Sequence, residues 1–451
     1  MKELKIGYAS ISVNPPLNNP VHGYYKERFG QGFIDDIEAS AIALSLGDKT
    51  AIIISVDNGG FKQPIIEKFQ NAIYESTNVS KEFIFISATH SHTAPSAYFP
   101  ELFDVDESVI NEYVDLLTSK LALISKSAID DLKPAKMGFA VGHAPDRIAY
   151  IRRYRMKDGS TFTCPPINDE NIVGPIGELD QRVNVIRFNR ENSNDVVIMN
   201  YGIHADTVNG DLYCSDWVGW TRRTVEKALD GTKCMCIMGA QGDVGSTNVH
   251  PIPGDMNDTE ISFDNEMKSP GMARFVGRAL AGVILQVYDK VAYTEVETLS
   301  AIKEVLPVKM NVPKKEDLPL ATKYKELYEQ GKSDQIPFQG MQLTTVVAEA
   351  LRMCKMANEP DTSYLNLYGL RIGNVALISI PGEPFTDIGV QIKDTDGYDL
   401  ILPCAITNGY EGYFPVKSAF YEGGYEARTS PYTADISTDI VSCAKRILGK
   451  L

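Results

Sequence analysis

Only six histidines occur in the 451 residues, and the chain has neither a long apolar run nor an excess of basic charge. No stretch approaches the roughly 18 apolar residues of a spanning helix, so no membrane span is expected. Acidic residues outnumber basic ones, 59 to 44, for a formal charge of −15 and a pI near 5.0. Nucleic acid and anionic membrane both require a basic footprint, so neither is expected as a partner. The start, MKELKIGYAS, lacks the apolar core and cleavage site of a secretory signal. The seven cysteines are odd in number and scattered, with no C-x-x-C pair. Free thiols in a reducing, cytoplasmic setting are expected. The glycine-rich MGAQGDVGSTN (238–248) lacks the Gly-Lys-Ser/Thr of a phosphate loop, and no Gly-x-Ser-x-Gly elbow marks a serine hydrolase.

What is present is an ordinary globular balance, 43% apolar and 23% charged. IEASAIALSL (37–46) and TAIIISVD (50–57) predict a hairpin about Gly47-Asp48. Further strands are predicted at 83–88, 135–141, 182–188, 195–203, 234–239, 365–372 and 374–380. Each is rich in β-branched or aromatic residues and bounded by turn formers. Cys234 and Cys236 alternate on one of them. Helical spacing marks QPIIEKFQNAIYES, 108–132, 215–229, 272–291, TTVVAEALRMCKMA and ADISTDIVSCAKRIL. Strands interleaved with helices predict an α/β or α+β chain, mixed sheets flanked by helices, as a single domain over 1–451. The polar, Gly/Pro-bearing 249–271 is expected to be a loop over an active site, and the charged 310–339 a surface helical excursion.

Five segments carry chemistry. In FIFISATHSHTAP an apolar run stops at His90 and His92. If extended geometry persists through Ser91, both imidazoles project from the strand end on one face. His204 closes VVIMNYGIH in the same manner, and Glu383 follows NVALISI in a Pro-Gly-Glu-Pro turn. Strand ends that deliver imidazoles and a carboxylate to one place make a zinc set. Taken singly, each residue also has a plain structural role, as a loop imidazole bonded to backbone or an acid at a helix N-terminus. In the turn after CMCIM, glycines let backbone approach a ligand, and Asp243 orients a histidine or caps a turn. ITNGYEGYFPVKSAFYEGGYEARTSP (406–431) carries four tyrosines, of which Tyr413 and Tyr425 offer phenol oxygens to a metal or a polarised substrate.

In this order the five segments resemble the catalytic domain of the neutral, non-lysosomal ceramidase family, zinc-dependent amidases. The family's Thr-His-x-His-x-x-Pro is THSHTAP here. Its single strand-end histidine is in YGIHADTVNGD, its Gly-Asp-Val turn in GAQGDVGSTN and its Pro-Gly-Glu at 381–383. Its tyrosines twelve residues apart are in GYFPVKSAFYEGGYE. The resemblance spans nearly the whole chain and covers the catalytic domain only; no counterpart of the family's C-terminal immunoglobulin-like domain is expected. It implies Zn2+ held by His90, His204, Glu383 and Tyr413, with His92 and Tyr425 facing the scissile group. Arg152, in IAYIRRYRMKDG, matches the family's substrate-contacting arginine, with Arg153 the neighbouring alternative. Gly242, Asp243 and Arg153 would contact substrate or stand behind the ligands. Where the family continues Gly-Asp-Val with serine, this chain has Gly245, and the displaced Ser246 takes no nucleophilic role.

The activity implied is cleavage of an N-acyl amide by metal-activated water. His92 would pass a proton to the leaving nitrogen, and Tyr425 and Arg152 would donate to the developing oxyanion. The substrate is expected to be a small-molecule or lipid-like N-acyl compound, and a small or soluble one suits an acidic cytoplasmic chain. A zinc esterase of the same fold and a catalytically silent metal-binding protein are the alternatives. Barrel amidohydrolases also use His-x-His, but eight regular βα units cannot be counted here. Metallo-β-lactamase-like sites need His-x-His-x-Asp-His, which HSHTAP lacks.

Overall fold

In a computed structural model of the chain, residues 3–98, 107–252 and 267–451 are described. The layering follows from strands that are apolar on both faces. In Lys49–Val56, Ile52, Ile54 and Val56 point to one side and Ala51 and Ile53 to the other, all fully buried. Such a strand reads as a continuous apolar run and has to lie between two layers.

Among the described residues the larger sheet has nine strands. Eight run in the order Lys233–Met238, Val196–Tyr201, Arg182–Arg190, Lys133–His143, Leu4–Ser12, Glu38–Leu46, Lys49–Val56, Ile84–Ala88. The short Ala292–Thr294 also pairs with Lys133–His143. A four-stranded sheet, Leu299–Lys309, Thr362–Ile372, Val375–Ile380 and Leu400–Ala405, lies against it. Leu44, Ile53, Ile198 and Ile237 of the first sheet pack on Tyr368, Leu370, Leu377 and Leu402 of the second. Helices Gln63–Thr77, Glu107–Asp130, Asp216–Ala228 and Pro270–Tyr288 cover the far face of the first sheet through residues such as Phe69, Leu117, Val225 and Val276. Helices Thr386–Lys393 and Ile436–Lys450 cover the second through Ile388, Ile440 and Ile447. The result is a helix–sheet–sheet–helix sandwich. Each fully buried Ile, Leu or Phe stabilises it by about 1.5–3 kcal/mol.

Within the two large sheets three strand pairs are parallel: Lys49–Val56 with Ile84–Ala88, Val196–Tyr201 with Lys233–Met238, and Val375–Ile380 with Leu400–Ala405. Parallel neighbours need a crossover, and a helix supplies each: Gln63–Thr77, Asp216–Ala228 and Thr386–Lys393 in turn. The loops leaving the C-terminal ends of these six strands meet. Thr89 N donates to Val56 O at 3.0 Å, Gly242 N to Pro384 O at 2.9 Å, and Ser87 bridges to Thr407 across the two sheets.

The predicted hairpin forms as Glu38–Leu46 and Lys49–Val56, with Gly47 at φ +66° in its turn. The interleaved strands and helices also form. Three long strands of the two large sheets escaped the sequence reading, Leu4–Ser12, Leu299–Lys309 and Leu400–Ala405, as did the short strands of two to four residues. Pro307 and Pro403 lie within Leu299–Lys309 and Leu400–Ala405, which are the edges of the four-stranded sheet, where a missing N–H is tolerated. The 310–339 stretch holds helix Leu318–Glu329, packed through Tyr324, Leu327 and Tyr328 on helix Gly340–Met356. Of the expected loop 249–271, residues 253–266 lie outside the described residues. All seven cysteines are free, and Cys234 and Cys236 are buried on the helix-facing side of their strand. No helix among the described residues is long and apolar enough to cross a membrane.

Candidate metal centre

Each parallel pair sends two loops to one place. After Ile84–Ala88 comes His90, and after Val196–Tyr201 comes His204. After Val375–Ile380 comes Glu383, and after Leu400–Ala405 come Tyr410 and Tyr413. The partner strands supply the carbonyls that hold the imidazoles. His90 Nδ1 lies 2.6 Å from Gly59 O, just past Lys49–Val56. His204 Nδ1 lies 2.8 Å from Gln241 O and 2.9 Å from Val244 O, just past Lys233–Met238. A carbonyl only accepts, so both rings carry their proton on Nδ1 and turn the Nε2 lone pair inward.

Both lone pairs meet Glu383. Its Oε2 is 2.9 Å from His204 Nε2 and 3.3 Å from His90 Nε2. All three side chains are buried, yet His204 Nε2 and Glu383 Oε2 have no hydrogen-bond partner. With both imidazoles neutral, three acceptor atoms face one another with no proton between them. That costs free energy unless a cation joins them. Ligands about 2.0–2.2 Å from one tetrahedral ion stand about 3.3–3.6 Å apart; the His90 separation matches this and the His204 one, 2.9 Å, is shorter. The second ring nitrogens are already bonded to carbonyls, as in metal sites that fix the histidine tautomer. The donor set therefore fits a divalent ion. Despite burial, the adjoining imidazoles of His90 and His204 hold the Glu383 carboxyl well below the usual range, so it stays ionised.

Tyr413 sits beside Glu383 in a two-residue parallel pairing, Glu383–Pro384 with Tyr413–Phe414. Arg152 Nη2 donates to its hydroxyl at 3.0 Å. Burial, then the Glu383 charge, push this phenol's pKa well up. The Tyr425 ring stands 5.7 Å from that of Tyr413. Arg152 is fixed by Glu426 Oε1 at 2.7 Å and Gly242 O at 2.9 Å. Of the arginine pair, the structure brings only Arg152 to this cluster. Arg153, which opens the strand Arg153–Met156, bonds Glu422 Oε2 at 3.0 Å and Gly423 O at 2.9 Å and stacks on Phe385. Its bonds and stacking thus go to Glu422, Gly423 and Phe385 rather than to His90, His204 or Glu383.

Asp243 reaches no histidine. Its carboxylate accepts from Thr386 N and Thr386 Oγ1, both at 2.8 Å, and so caps the helix that follows Glu383. Its carbonyl accepts from Arg152 N at 3.0 Å. Gly242 is needed because a Cβ there would come within 2.5 Å of Glu383 O. A correction concerns His90 and His92. The strand ends at Ala88, and His90 is in the left-handed region at φ +59°, so the pair does not lie on one strand face. His90 N bonds Asn58 O at 2.8 Å and its ring bonds Gly59, which holds this conformation. His92 Nε2 still comes within 3.4 Å of His90 Nε2.

Sequence reasoning missed His22, Tyr410, Arg28 and Asp206. The His22 ring lies 5.3 Å from that of His90 and 5.6 Å from that of His92. It also joins these two in a second cluster able to share a cation. Four of the six histidines are thus in one place. Tyr410 Oη donates to Glu383 Oε1 at 3.1 Å. Arg28 donates to His92 O at 2.8 Å and also to His22 O, tying both loops together. His22 follows no apolar strand, so the strand-end signal did not reach it. Burial, then the neighbouring His90, keep His22 and His92 well below the usual imidazole pKa.

The fold is shared with solved ceramidases. Neutral ceramidase from Pseudomonas aeruginosa matches with a TM-score of 0.73 and 15% identity, over 99% of this chain and 74% of that one. A ceramidase complexed with C2 gives 0.72 and 14%, over 99% and 75%. No family model and no curated protein matches the sequence. The mixed-sheet architecture and the ceramidase-like fold expected from the ordered motifs are both found. At this identity the likeness carries the fold; the chemistry rests on the residues described above.

Proposed function

We propose that the chain is a metal-dependent hydrolase of N-acyl amide bonds, with zinc held by His90, His204, Glu383 and Tyr413. The observation that carries this reading is the buried meeting of His90 Nε2, His204 Nε2 and Glu383 Oε2, the last two without a hydrogen-bond partner. A divalent ion bound there supplies Lewis-acid polarisation of an acyl carbonyl and water activation near neutral pH. His92 Nε2 takes the proton of the oxygen newly bonded to the acyl carbon and passes it to the leaving nitrogen. The C–O bond forms, the C–N bond breaks, and a carboxylic acid and an amine leave. A proton carrier of this kind contributes about 10² to 10⁴ in rate. Arg152 and Tyr425 donate to the carbonyl oxygen as charge grows on it. Arg152 arrives pre-oriented by Glu426 and Gly242.

The similar solved proteins are ceramidases, which favours an amide over an ester. Besides the tyrosines, the side chains flanking the centre include two ion pairs, Arg152 with Glu426 and Lys268 with Asp206, which favours a compact polar N-acyl compound. Metal analysis of the purified protein, with hydrolysis of a panel of ceramide, N-acyl amino acids, N-acyl sugars and matched esters, tests the reading. Bound zinc and amide turnover are expected, both lost in a His90→Ala/His204→Ala double variant. Retention of both in that variant refutes it.

A further inference from the structure

His92 Nδ1 is buried without a hydrogen-bond partner. The acceptor opposite it is Asp206 Oδ1, 3.5 Å away. That carboxylate is fixed from its far side. Tyr24 Oη donates to Oδ1, while Lys268 Nζ donates to Oδ2 at 2.9 Å and to Tyr24 Oη at 2.6 Å. The main chain of His92 is pinned as well, its N–H on Ala205 O at 2.9 Å and its carbonyl under Arg28. What remains free is the ring's tautomer and small rotations about its own bonds. The rings of His22, His90, His204 and Tyr24 surround it.

We infer that Asp206 is a positioning residue: its carboxylate accepts the Nδ1 proton of His92 and keeps the Nε2 lone pair directed at the reaction centre. The inference rests on the hydrolase reading above. Without an ion, an Nε2–H on His92 has an acceptor in His90 Nε2, 3.4 Å away. An ion on His90 removes that acceptor, and the tautomer facing Asp206 is then favoured. Hydrogen bonds of this kind are commonly loose before substrate binds and tighten in the reacting complex.

Asp206→Asn tests it by placing an amide donor opposite Nδ1 and reversing the tautomer preference. For an unactivated N-acyl amide, kcat is expected to fall about 10- to 100-fold with KM within about twofold. A matched p-nitrophenyl ester, whose leaving group needs no proton, is expected to change less than about threefold, because His92 chiefly serves the leaving atom. Zinc content is expected to stay the same, and Asp206→Glu to restore part of the amide rate. Imidazole ¹⁵N NMR of the zinc-loaded protein reads the tautomer directly: Nδ1–H in the unmodified chain, Nε2–H in Asp206→Asn. Equal slowing of amide and ester, or Nε2–H on His92 in the unmodified chain, overturns the inference. If Asp206→Asn does not fold, the spectrum of the unmodified chain decides. If no acyl compound is cleaved, the proposed function fails while the tautomer still decides this inference.

Discussion

Glu383→Gln separates a metal centre from a buried structural ion pair, because the two predict opposite effects on stability. Glu383 is fully buried, and its Oε2 faces two Nε2 lone pairs without a proton. In metal-free protein a glutamine amide would donate to His204 Nε2 or His90 Nε2 and still accept from Tyr410. The metal-free variant is therefore expected to be at least as stable as the unmodified chain. Zinc, by contrast, should stabilise the unmodified chain by about 4 kcal/mol when free ion reaches about a thousand times Kd. At about 2.1 cal/mol/K per residue, 451 residues give an unfolding entropy of about 0.9 kcal/mol/K, so Tm should rise by about 4 °C. Without its anionic ligand the variant should show almost none of that rise. Were Glu383 merely the partner of a charged histidine, its neutralisation would cost about 3–5 kcal/mol, and Tm would fall by a similar number of degrees with or without zinc. Calorimetry on chelator-stripped protein with and without added zinc distinguishes the cases. A metal-free Glu383→Gln that melts several degrees lower, beside an unmodified chain indifferent to zinc, refutes the reasoning.

Arg152→Ala and Arg153→Ala should part company. The first is expected to lose about 10²- to 10³-fold in kcat and also about 3–5 kcal/mol of stability, because Glu426 is left buried and unpaired; the second is expected to lose about 2–4 kcal/mol of stability while its folded fraction turns over normally; denaturation curves and steady-state kinetics check both. Gly242→Ala drives a Cβ against Glu383 O at 2.5 Å and Pro384 O at 3.0 Å, so it should cost about 1–3 kcal/mol and weaken zinc binding, read by calorimetry and metal titration. Arg222 holds Asp57 through two bonds of 2.8 and 2.7 Å, and Asp57 in turn accepts from Thr89 beside His90. Arg222→Met should therefore cost about 3–5 kcal/mol by leaving that carboxylate buried and unpaired, measured by urea unfolding.

Much of this centre was legible because apolar runs that stop at a polar residue are visible in a sequence. FIFISA before His90 and NVALISI before Glu383 are buried strands, and the residues just past a buried strand emerge at a sheet end. The parts that escaped have equally physical causes. His92 and His90 meet through a left-handed turn at His90, which neither alternation nor spacing reveals. Arg152 and Arg153 are adjacent letters, but Arg152 falls in the break between two short strands and reaches the centre while Arg153 opens the second strand and reaches Glu422. The strands containing Pro307 and Pro403 were hidden because proline argues against a strand until the strand is known to be an edge. His22 and Asp206 act through neighbours remote in sequence or with no fixed spacing, and no local pattern marks them.

The parallel pairs explain why so many groups arrive together. Loops at the carboxyl ends of parallel strands are where ligands bind in α/β folds. Here three such pairs, two in one sheet and one in the other, discharge all six ends at one edge of the sandwich. In each sheet one strand of a pair offers a side-chain donor and its neighbour supports it: Gly59 O for His90, Gln241 O and Val244 O for His204, Tyr410 Oη for Glu383. Donors and supports therefore come from different chain segments but the same hydrogen-bonded ladder. Register, rather than loop conformation alone, sets their separation. A one-residue slip between Val375–Ile380 and Leu400–Ala405 would carry Tyr410 and Tyr413 out of line with Glu383 and turn alternate core residues to the wrong face. The same pairings that bury Ile378 and Leu402 thus keep an ionised carboxylate opposite two imidazoles.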